Sequence, residues 1–467
     1  MRIEKDLLGA REVPQSVYYG IHTLRAVENF TLTGQPINHA LIRALAMVKK
    51  AAAEANSELG FLPKEIGEAI ITAADEIIAG QMLDQFPVDA LQGGAGTSAN
   101  MNINEVLANR AIEILGGTKG NYELVHPIGH VNMHQSTNDV FPTAVRIAAI
   151  TLLRPVSEGC AQLQEELQVK EAEFAGVIKM GRTQLQDAVP IMLGQEFSAY
   201  AQAIGRDRWR IYKVEERLRQ VNFGGTAVGT GLNAEPKYIF MANEKLRHIA
   251  RIGLARAENM IDLTQNADVF VEVSGLLKAL AVNLTKIGND LRLMSSGPRA
   301  GLGEINLPER QAGSSIMPGK VNPIIPEALN QIAFQVMSND LAITLGAQAG
   351  QLELNAMLPL IAHNLLQSLT ILSNGIEMFI DKCLRGISAN ADICRARVEE
   401  SYGLITALAP HVGYDTATEV AKRVLATGQP VRRVVLEMEL MTEVELENVL
   451  NPWEMTKPGI SGKKTKA

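Results

Sequence analysis

The sequence has few of the residue types that mark metal centres, disulfide frameworks or nucleic-acid binding. Its three cysteines, Cys160, Cys383 and Cys394, lie far apart and form no CxxC pair. This spacing suggests neither a zinc site nor a disulfide scaffold, and it favours a reducing cytoplasm. The net charge of −7 argues against nucleic acid as a partner, because binding to phosphates requires a basic surface.

Long apolar runs are absent too. No run of about 18 uninterrupted apolar residues occurs, so we expect no membrane-spanning helix and no membrane partner. Residues 1–6 carry too many charges for a signal peptide, and none is expected. Only 4% of residues are aromatic, so Ala, Leu, Ile, Val and Met must form the core, which favours helix packing over a β-sandwich. A chain of 467 residues can bury the cores of two or three domains.

Apolar residues at helical spacing are the commonest pattern in the sequence. Leu41, Leu45, Val48 and Ala52 fall on one face of a predicted helix. Further helices are predicted over about 98–115, 142–153, 162–179, 191–221, 274–293 and 326–383. We therefore predict a mainly α protein of three domains. They are a helical N-terminal domain (1–137), a bundle of long helices (138–392), and a small C-terminal domain (393–467) with a basic tail, from Lys457 onwards, that is predicted to be disordered.

Four polar loops precede or interrupt these helices: residues 93–98, 135–139, 181–184 and 313–323. A helix N-terminus presents unpaired N–H groups and binds carboxylates, so converging loops would form a site for a small dicarboxylate. Taken alone, the first two loops are better explained as helix caps, with Ser98 the predicted cap of one helix, and the third as a turn. The pair His130 and His134 is a weak metal candidate, because no carboxylate partner is well placed.

The loop at residues 313–323 is harder to explain as a turn. It reads Gly-Ser-Ser-Ile-Met-Pro-Gly-Lys-Val-Asn-Pro and offers two hydroxyls, one cation and one carboxamide. These groups suit the binding of a carboxylate and, if one serine is ionised, the removal of a neighbouring proton followed by β-elimination. Lys320 and backbone N–H groups would favour the ionised serine. No motif for nucleotide binding or for a Ser-His-Asp triad accompanies the loop.

These motifs together resemble the fumarase/aspartase superfamily, and the resemblance covers nearly the whole chain. It rests on Gly94 to Ser98 with Asn100-Met101-Asn102, on Gln135 to Asp139, on Gly181 to Asp187, and on the 313–323 loop. The resemblance implies a homotetramer of mainly helical subunits whose long central helices pack together. It also implies active sites that are each built by loops from three subunits.

The resemblance assigns a role to each candidate site residue. Ser314 would be the catalytic base that takes a proton from Cβ of the substrate. The residues that would hold the β-carboxylate and its aci form are Ser315, Thr97, Ser136 and Thr137. Those that match the α-carboxylate group are Lys320, Asn322 and Thr183. Those that would face the amino group are Asn138 and Gln184.

Three positions favour the ammonia-lyase branch of the superfamily over its hydratases: Ser98, Thr137 and Gln184. The implied reaction is the reversible deamination of L-aspartate to fumarate and ammonia, without a required cofactor or metal. Activation by a divalent cation stays open. Gln184 departs from relatives that carry histidine there, and a carboxamide does not titrate, so an imidazole acid is impossible. The alternatives are a fumarate hydratase, a lyase of succinyl-substituted amines such as argininosuccinate, and a non-catalytic relative like the lens crystallins.

Overall fold

A computed structural model describes residues 1–463 of the chain, and helices dominate it, which confirms the mainly helical prediction. The helices within these residues are α1 (Ile21–Asn29), α2 (His39–Glu58), α3 (Lys64–Ile78), α4 (Thr97–Ile114), α5 (Thr137–Glu173), α6 (Leu193–Leu218), α7 (Pro236–Ala250), α8 (Met260–Gln265), α9 (Asp268–Met294), α10 (Ile324–Gln348), α11 (Leu358–Lys382), α12 (Ala391–Glu400), α13 (Ile405–Val412), α14 (Tyr414–Thr427), α15 (Val431–Glu437), α16 (Glu443–Val449) and α17 (Pro452–Met455).

The strands are short and pair two by two. They are β1 (Arg2–Asp6), β2 (Gly9–Val13), β3 (Ile178–Thr183), β4 (Gln186–Met192), β5 (Gln220–Val221), β6 (Ala255–Arg256), β7 (Ile305–Asn306) and β8 (Ser388–Ala389). The pairs β1–β2, β3–β4 and β7–β8 are antiparallel, whereas β5–β6 is parallel.

The chain divides into two compact units. Unit 1 consists of Met1–Glu158, Arg208–Ala281 and Ile332–Asn374, and unit 2 consists of Gly159–Asp207, Val282–Gln331 and Gly375–Ala467. The long helices α5, α6, α9, α10 and α11 each contribute residues to both units. The predicted domain boundaries after residues 137 and 392 stay predictions.

Helix α2 belongs to unit 1, where it packs against α3 and α7. All four residues of its predicted apolar face, Leu41, Leu45, Val48 and Ala52, are buried. The predicted helix face is therefore confirmed, and α2 is also buried at other positions, among them the charged residue Lys49.

Helix α5 is longer than the sequence predicts, because it runs unbroken through Pro142 and Pro155. Proline lacks an N–H group, so Pro142 leaves the Asn138 carbonyl without its usual helical donor. Asn222 fills this place by donating from Nδ2 to Asn138 O at 3.0 Å. By length and composition α5 could cross a membrane, but 72% of its most apolar window is buried inside the protein, as in a core helix.

The core of unit 2 includes a hairpin that the sequence does not predict. Strands β3 and β4 occupy residues that were expected to be the end of a helix and a loop. The buried residues Ile178, Met180 and Met192 of this hairpin share one apolar cluster with the C-terminal helices from α12 to α16. The hairpin is thus held by the C-terminal part of the chain.

The predicted disordered tail begins at Lys457, but residues 457–463 do not fit that prediction. Ser461 is buried, donates from Oγ to Val449 O, and accepts at its carbonyl from His411 Nε2 at 2.7 Å. Residues 464–467, the rest of the predicted tail, lie outside the described residues.

Candidate active site

The first polar loop turns sharply into α4. Gly94, Ala95 and Gly96 all have positive φ, and a Cβ on Gly96 would come within 2.5 Å of the Phe141 ring. The predicted cap at Ser98 is wrong, because α4 begins at Thr97 with Gly96 as its N-cap residue. Thr97 is exposed, and its hydroxyl donates to Gly94 O at 2.7 Å. Thr97 thus stands at a helix N-terminus, where a carboxylate is favoured.

The second loop leads into α5 and is held by a buried carboxylate. Asp139 accepts from Ser136 N at 3.0 Å through Oδ1, and from Gly224 N and Thr226 N through Oδ2. Burial raises the pKa of Asp139 to about 6, although these three N–H groups and the charge of Lys49 act in the opposite direction. Asp139 therefore ties the 135–139 loop to the glycine-rich segment that follows β5.

Three predicted substrate-binding residues lie together at this loop. Ser136 Oγ accepts from Asn138 N at 3.2 Å, and Thr137 Oγ1 accepts from Asn100 Nδ2 at 3.1 Å. The second bond joins the first turn of α4 to the first turn of α5, so Thr97 and Thr137 lie on neighbouring elements of unit 1. Asn138 donates from Nδ2 to Ala227 O at 2.8 Å, which leaves its Oδ1 oriented as an acceptor.

The third loop is the turn of the β3–β4 hairpin. Thr183 pairs with Gln186, and the two residues between them, Gln184 and Leu185, have φ values of +54° and +62°. Two residues in the left-handed region form the turn that suits the twist of a two-residue hairpin. Thr183 and Gln184 are both exposed at its tip.

The fourth loop closes on itself. Gly313 N donates to Lys320 O at 2.7 Å, and Asn322 Nδ2 donates to Gly313 O at 2.7 Å. A Cβ on Gly313 would come within 3 Å of Lys320 O and of the Asn322 side chain, so this closure requires glycine. Ser315 and Lys320 are exposed on the loop.

Ser314 occupies a distinct environment within this loop. Its Oγ accepts from Met317 N at 2.9 Å and from Ile316 N at 3.2 Å. Hydrogen bonds to an oxygen favour its ionised form, so both N–H groups would stabilise a serine alkoxide. Two such donors suit a serine that loses its proton, although a serine turn of this kind also occurs in ordinary loops.

The predicted site residues therefore fall into two groups. Thr97, Ser136, Thr137 and Asn138 belong to unit 1. Thr183, Gln184, Ser314, Ser315, Lys320 and Asn322 belong to unit 2.

Several supporting residues were not assigned a role from the sequence. In unit 2, Glu304 is fully buried and accepts from Arg182 Nη1 at 2.6 Å, with Lys179 Nζ at 2.7 Å from its other oxygen. This network links the hairpin to the start of β7, which precedes the serine loop. In unit 1 the unassigned residues are Lys49 and Asn132, and no local motif marks either of them.

The two histidines considered for metal binding have other partners. His134 Nδ1 lies 2.7 Å from Asn56 Oδ1, and His130 Nδ1 accepts from His126 N at 3.0 Å. Among residues 1–463, no three His, Cys, Asp or Glu side chains are grouped so that they could hold a metal ion.

Comparison with known proteins decides the family. The family model described as Lyase matches residues 9–338, and that of the Fumarase C C-terminus matches residues 404–457. The chain belongs to this lyase family. The resemblance to the fumarase/aspartase superfamily is thereby confirmed.

Relatives in this lyase family match the chain from end to end. An aspartate ammonia-lyase of Bacillus sp is 54% identical, with 99% of each chain covered. The aspartate ammonia-lyase of Escherichia coli (strain K12) is 48% identical, with 99% of this chain and 98% of that one covered.

Solved structures of the lyase family share the fold. A fumarate lyase:delta crystallin from Brucella melitensis, bound to cobalt, is 51% identical with a TM-score of 0.95, covering 98% of this chain and all of that one. A class II fumarase from Schistosoma mansoni is 35% identical with a TM-score of 0.92, covering 97% and 98% of the two chains.

Proposed function

We propose that this chain catalyses the reversible deamination of L-aspartate to fumarate and ammonia. The observation that carries the proposal is the pair of backbone N–H groups donating to Ser314 Oγ, because they suit a serine that acts as a base. The whole-chain relatives named aspartate ammonia-lyase support the choice of substrate.

The first step removes a proton from Cβ of L-aspartate. Ser314, as the alkoxide, takes this proton, and the electron pair of the C–H bond moves into the β-carboxylate to form the doubly charged aci form. Fixed donors must stabilise that charge. Ser315, Ser136 and Thr137 are proposed to supply hydroxyl donors, and Thr97 is proposed to hold the charge at the N-terminus of α4. Thr97 and Thr137 each begin a helix.

The second step breaks the bond between Cα and nitrogen. The electron pair of the aci form creates the double bond of fumarate as ammonia leaves, and Ser314 later returns its proton to solvent. Lys320, Asn322 and Thr183 are proposed to hold the α-carboxylate, with the lysine supplying the positive charge. No step requires a group from outside the protein and its substrate, so we propose that no cofactor is needed.

The amino group is the feature that separates aspartate from malate. Because Asn138 Nδ2 donates to Ala227 O, its Oδ1 is available to accept from a substrate ammonium. Gln184 offers a second carboxamide, and neither residue titrates. We therefore propose that the leaving group is already an ammonium when the substrate binds.

Assembly and location are part of the proposal. The site residues lie in two units of one chain, and the family resemblance implies active sites shared by three subunits of a homotetramer. We propose that assembly. The cysteines Cys160, Cys383 and Cys394 are all buried and form no disulfide, which suits a cytoplasmic protein.

Replacing the base tests the reaction. We expect Ser314→Ala to lower kcat by about 10²- to 10⁴-fold, the usual contribution of a general base, without changing the oligomer. The rate is that of fumarate formation from L-aspartate, followed by ultraviolet absorbance. Ser16→Ala, which removes an exposed hydroxyl, should act as wild type.

A substrate panel completes this test. L-aspartate, L-malate and argininosuccinate are compared with the wild-type protein. Rapid hydration of fumarate without any release of fumarate from L-aspartate would replace the proposal with a fumarase. Near-normal turnover by Ser314→Ala would reject the base assignment.

A further inference from the structure

Lys49 is an unusual side chain for the middle of a buried helix face. It has no exposed surface, and its neighbour Val48 is also fully buried. The next residue, Lys50, shows what an ordinary lysine of α2 does, since it reaches Asp75 at 2.7 Å and is partly exposed. A buried ammonium is costly, and burial lowers the pKa of Lys49 to about 7, although the charge of Asp139 opposes this.

The partners of Lys49 are neutral. Its Nζ donates to Asn132 Oδ1 at 2.8 Å and to Gln135 Oε1 at 2.9 Å. The Nζ group thus orients two carboxamides through two N–H bonds, which both the ammonium and the neutral amine can donate.

An ammonium has only donors, so both carboxamides must present their oxygens to Lys49. For Gln135 this turns Nε2 towards Val131 O and Met133 O, at 3.0 and 3.1 Å. For Asn132 it turns Nδ2 towards Gln135 O, at 3.1 Å. One cation therefore fixes the conformation of the chain from 131 to 135, immediately before Ser136.

The same network reaches Thr137. Asn132 Oδ1 also accepts from Asn100 Nδ2 at 3.2 Å, and the same Nδ2 donates to Thr137 Oγ1 at 3.1 Å. A hydroxyl that accepts this bond keeps its own proton for another acceptor. Thr137 is thereby prepared as a donor to a carboxylate.

We propose that Lys49 is a positioning residue of the active site, which orients Asn132 and Gln135 and through them holds Ser136 and Thr137 for the substrate carboxylate. This inference rests on the proposed function, because the substrate role of Ser136 and Thr137 belongs to it. It gives a role to Gln135, a residue of the loop motif that the reaction itself does not use.

The test is Lys49→Met, which keeps most of the length of the side chain and removes its charge and donors. We expect kcat/KM for L-aspartate to fall by about 10- to 100-fold, the effect of losing a charge-assisted hydrogen bond. The inhibition constant of succinate, an unreactive dicarboxylate, should rise with KM. Lys50→Met, on the same helix, should stay within about 2-fold of wild type, because its ion pair is partly exposed.

A double-mutant cycle separates positioning from a general structural role. If Lys49 acts through Thr137, the losses from Lys49→Met and Thr137→Val will not add, whereas those from Lys49→Met and Lys320→Met will add. Additive losses with Thr137→Val, or a normal kcat/KM for Lys49→Met, would overturn the inference.

Two controls keep this result interpretable. If Lys49→Met does not fold, Asn132→Leu removes the acceptor that joins Lys49 to Asn100 and Thr137 from a half-buried position, and it should show the same coupling to Thr137→Val. If the wild-type protein releases no fumarate from L-aspartate, the proposed function fails. A wild-type rate with an unaffected Lys49→Met variant refutes only the role of Lys49.

Discussion

At the position of Gln184, some relatives carry histidine, a residue that titrates whereas glutamine does not. Gln184 is exposed at the tip of the β3–β4 hairpin with φ at +54°. Histidine tolerates this left-handed conformation better than most residues, so an exchange would change the chemistry at little cost in backbone strain.

We expect Gln184→His to add an ionisation to the pH profile of kcat/KM that the wild-type protein lacks. An unperturbed imidazole titrates near pH 6.5, so the added inflection should lie within about one unit of that value. The measurement is kcat/KM for L-aspartate from pH 5.5 to 9, on both proteins. Superimposable profiles would show that the side chain at this position does not face the reacting groups.

A site residue can be predicted from the sequence when its hydrogen-bond partners lie close to it along the chain. The bonds of Ser314 go to Ile316 and Met317, so one short motif contains both the serine and its donors. Lys49 and Gln135 are separated by 86 residues, and in the sequence Lys49 is one of two adjacent lysines on α2. Only burial distinguishes Lys49 from Lys50. Burial depends on how the folded chain packs, so the sequence does not single out Lys49.

At the scale of elements, helices were predicted better than the hairpin for a physical reason. The first three residues of β3, Ile178 to Met180, are all buried, so the strand lacks the alternation that identifies a half-buried strand. Its turn contains Gln184 and Leu185 in place of the usual Asn-Gly. The sequence predicts two helices, with Pro142 in the first turn of one and Pro155 between them, because proline ordinarily starts or interrupts a helix. Helix α5 instead begins at Thr137 and continues past both prolines, and Asn222 compensates for Pro142.

Asp89 joins two segments of unit 1 and makes their pairing dependent on pH. Its carboxylate accepts from the backbone N–H groups of residues 32–34 and from Leu91 N, and from the Thr33 hydroxyl at 2.8 Å. Burial alone would raise the pKa of Asp89, but the bonds from Leu91, Thr33 and Gly34 outweigh it, and the pKa is lowered.

The sign of the effect on stability follows from this lowered pKa. The contribution of Asp89 is fully present above the unfolded value of about 3.9, and it is lost as pH falls through the folded value. We expect Asp89→Asn to destabilise the protein by about 1.5–3 kcal/mol at pH 7, because an amide N–H would face backbone donors. The difference in thermal unfolding should shrink below about pH 4.

An exposed carboxylate provides the comparison for Asp89. Asp84 is exposed, and Asp84→Asn should leave the unfolding temperature near that of wild type at both pH values. If the destabilisation by Asp89→Asn persists unchanged in acid, its cause is altered packing and not the loss of an ionised acceptor.

For the whole molecule, two features bear on assembly: the site residues belong to two units, and one helix has an exposed apolar face. Helix α10 exposes Phe334 by 52%, Leu341 by 61% and Leu345 by 50%, at spacings that place them on one face. An exposed apolar stripe of this kind suits an interface with another protein chain. The proposed homotetramer provides the partner, since long helices of other subunits would cover this face.

We therefore expect Leu341→Glu to weaken the tetramer, because it places a charge in an apolar interface. Sedimentation velocity should show smaller species at low protein concentration, with kcat falling as the tetramer fraction falls. Leu425→Glu makes the same change at a residue of α14 that is 69% exposed, and it should keep both assembly and rate. Full activity in dissociated Leu341→Glu would mean that a single chain completes the site, and the sharing of active sites between subunits would have to be abandoned.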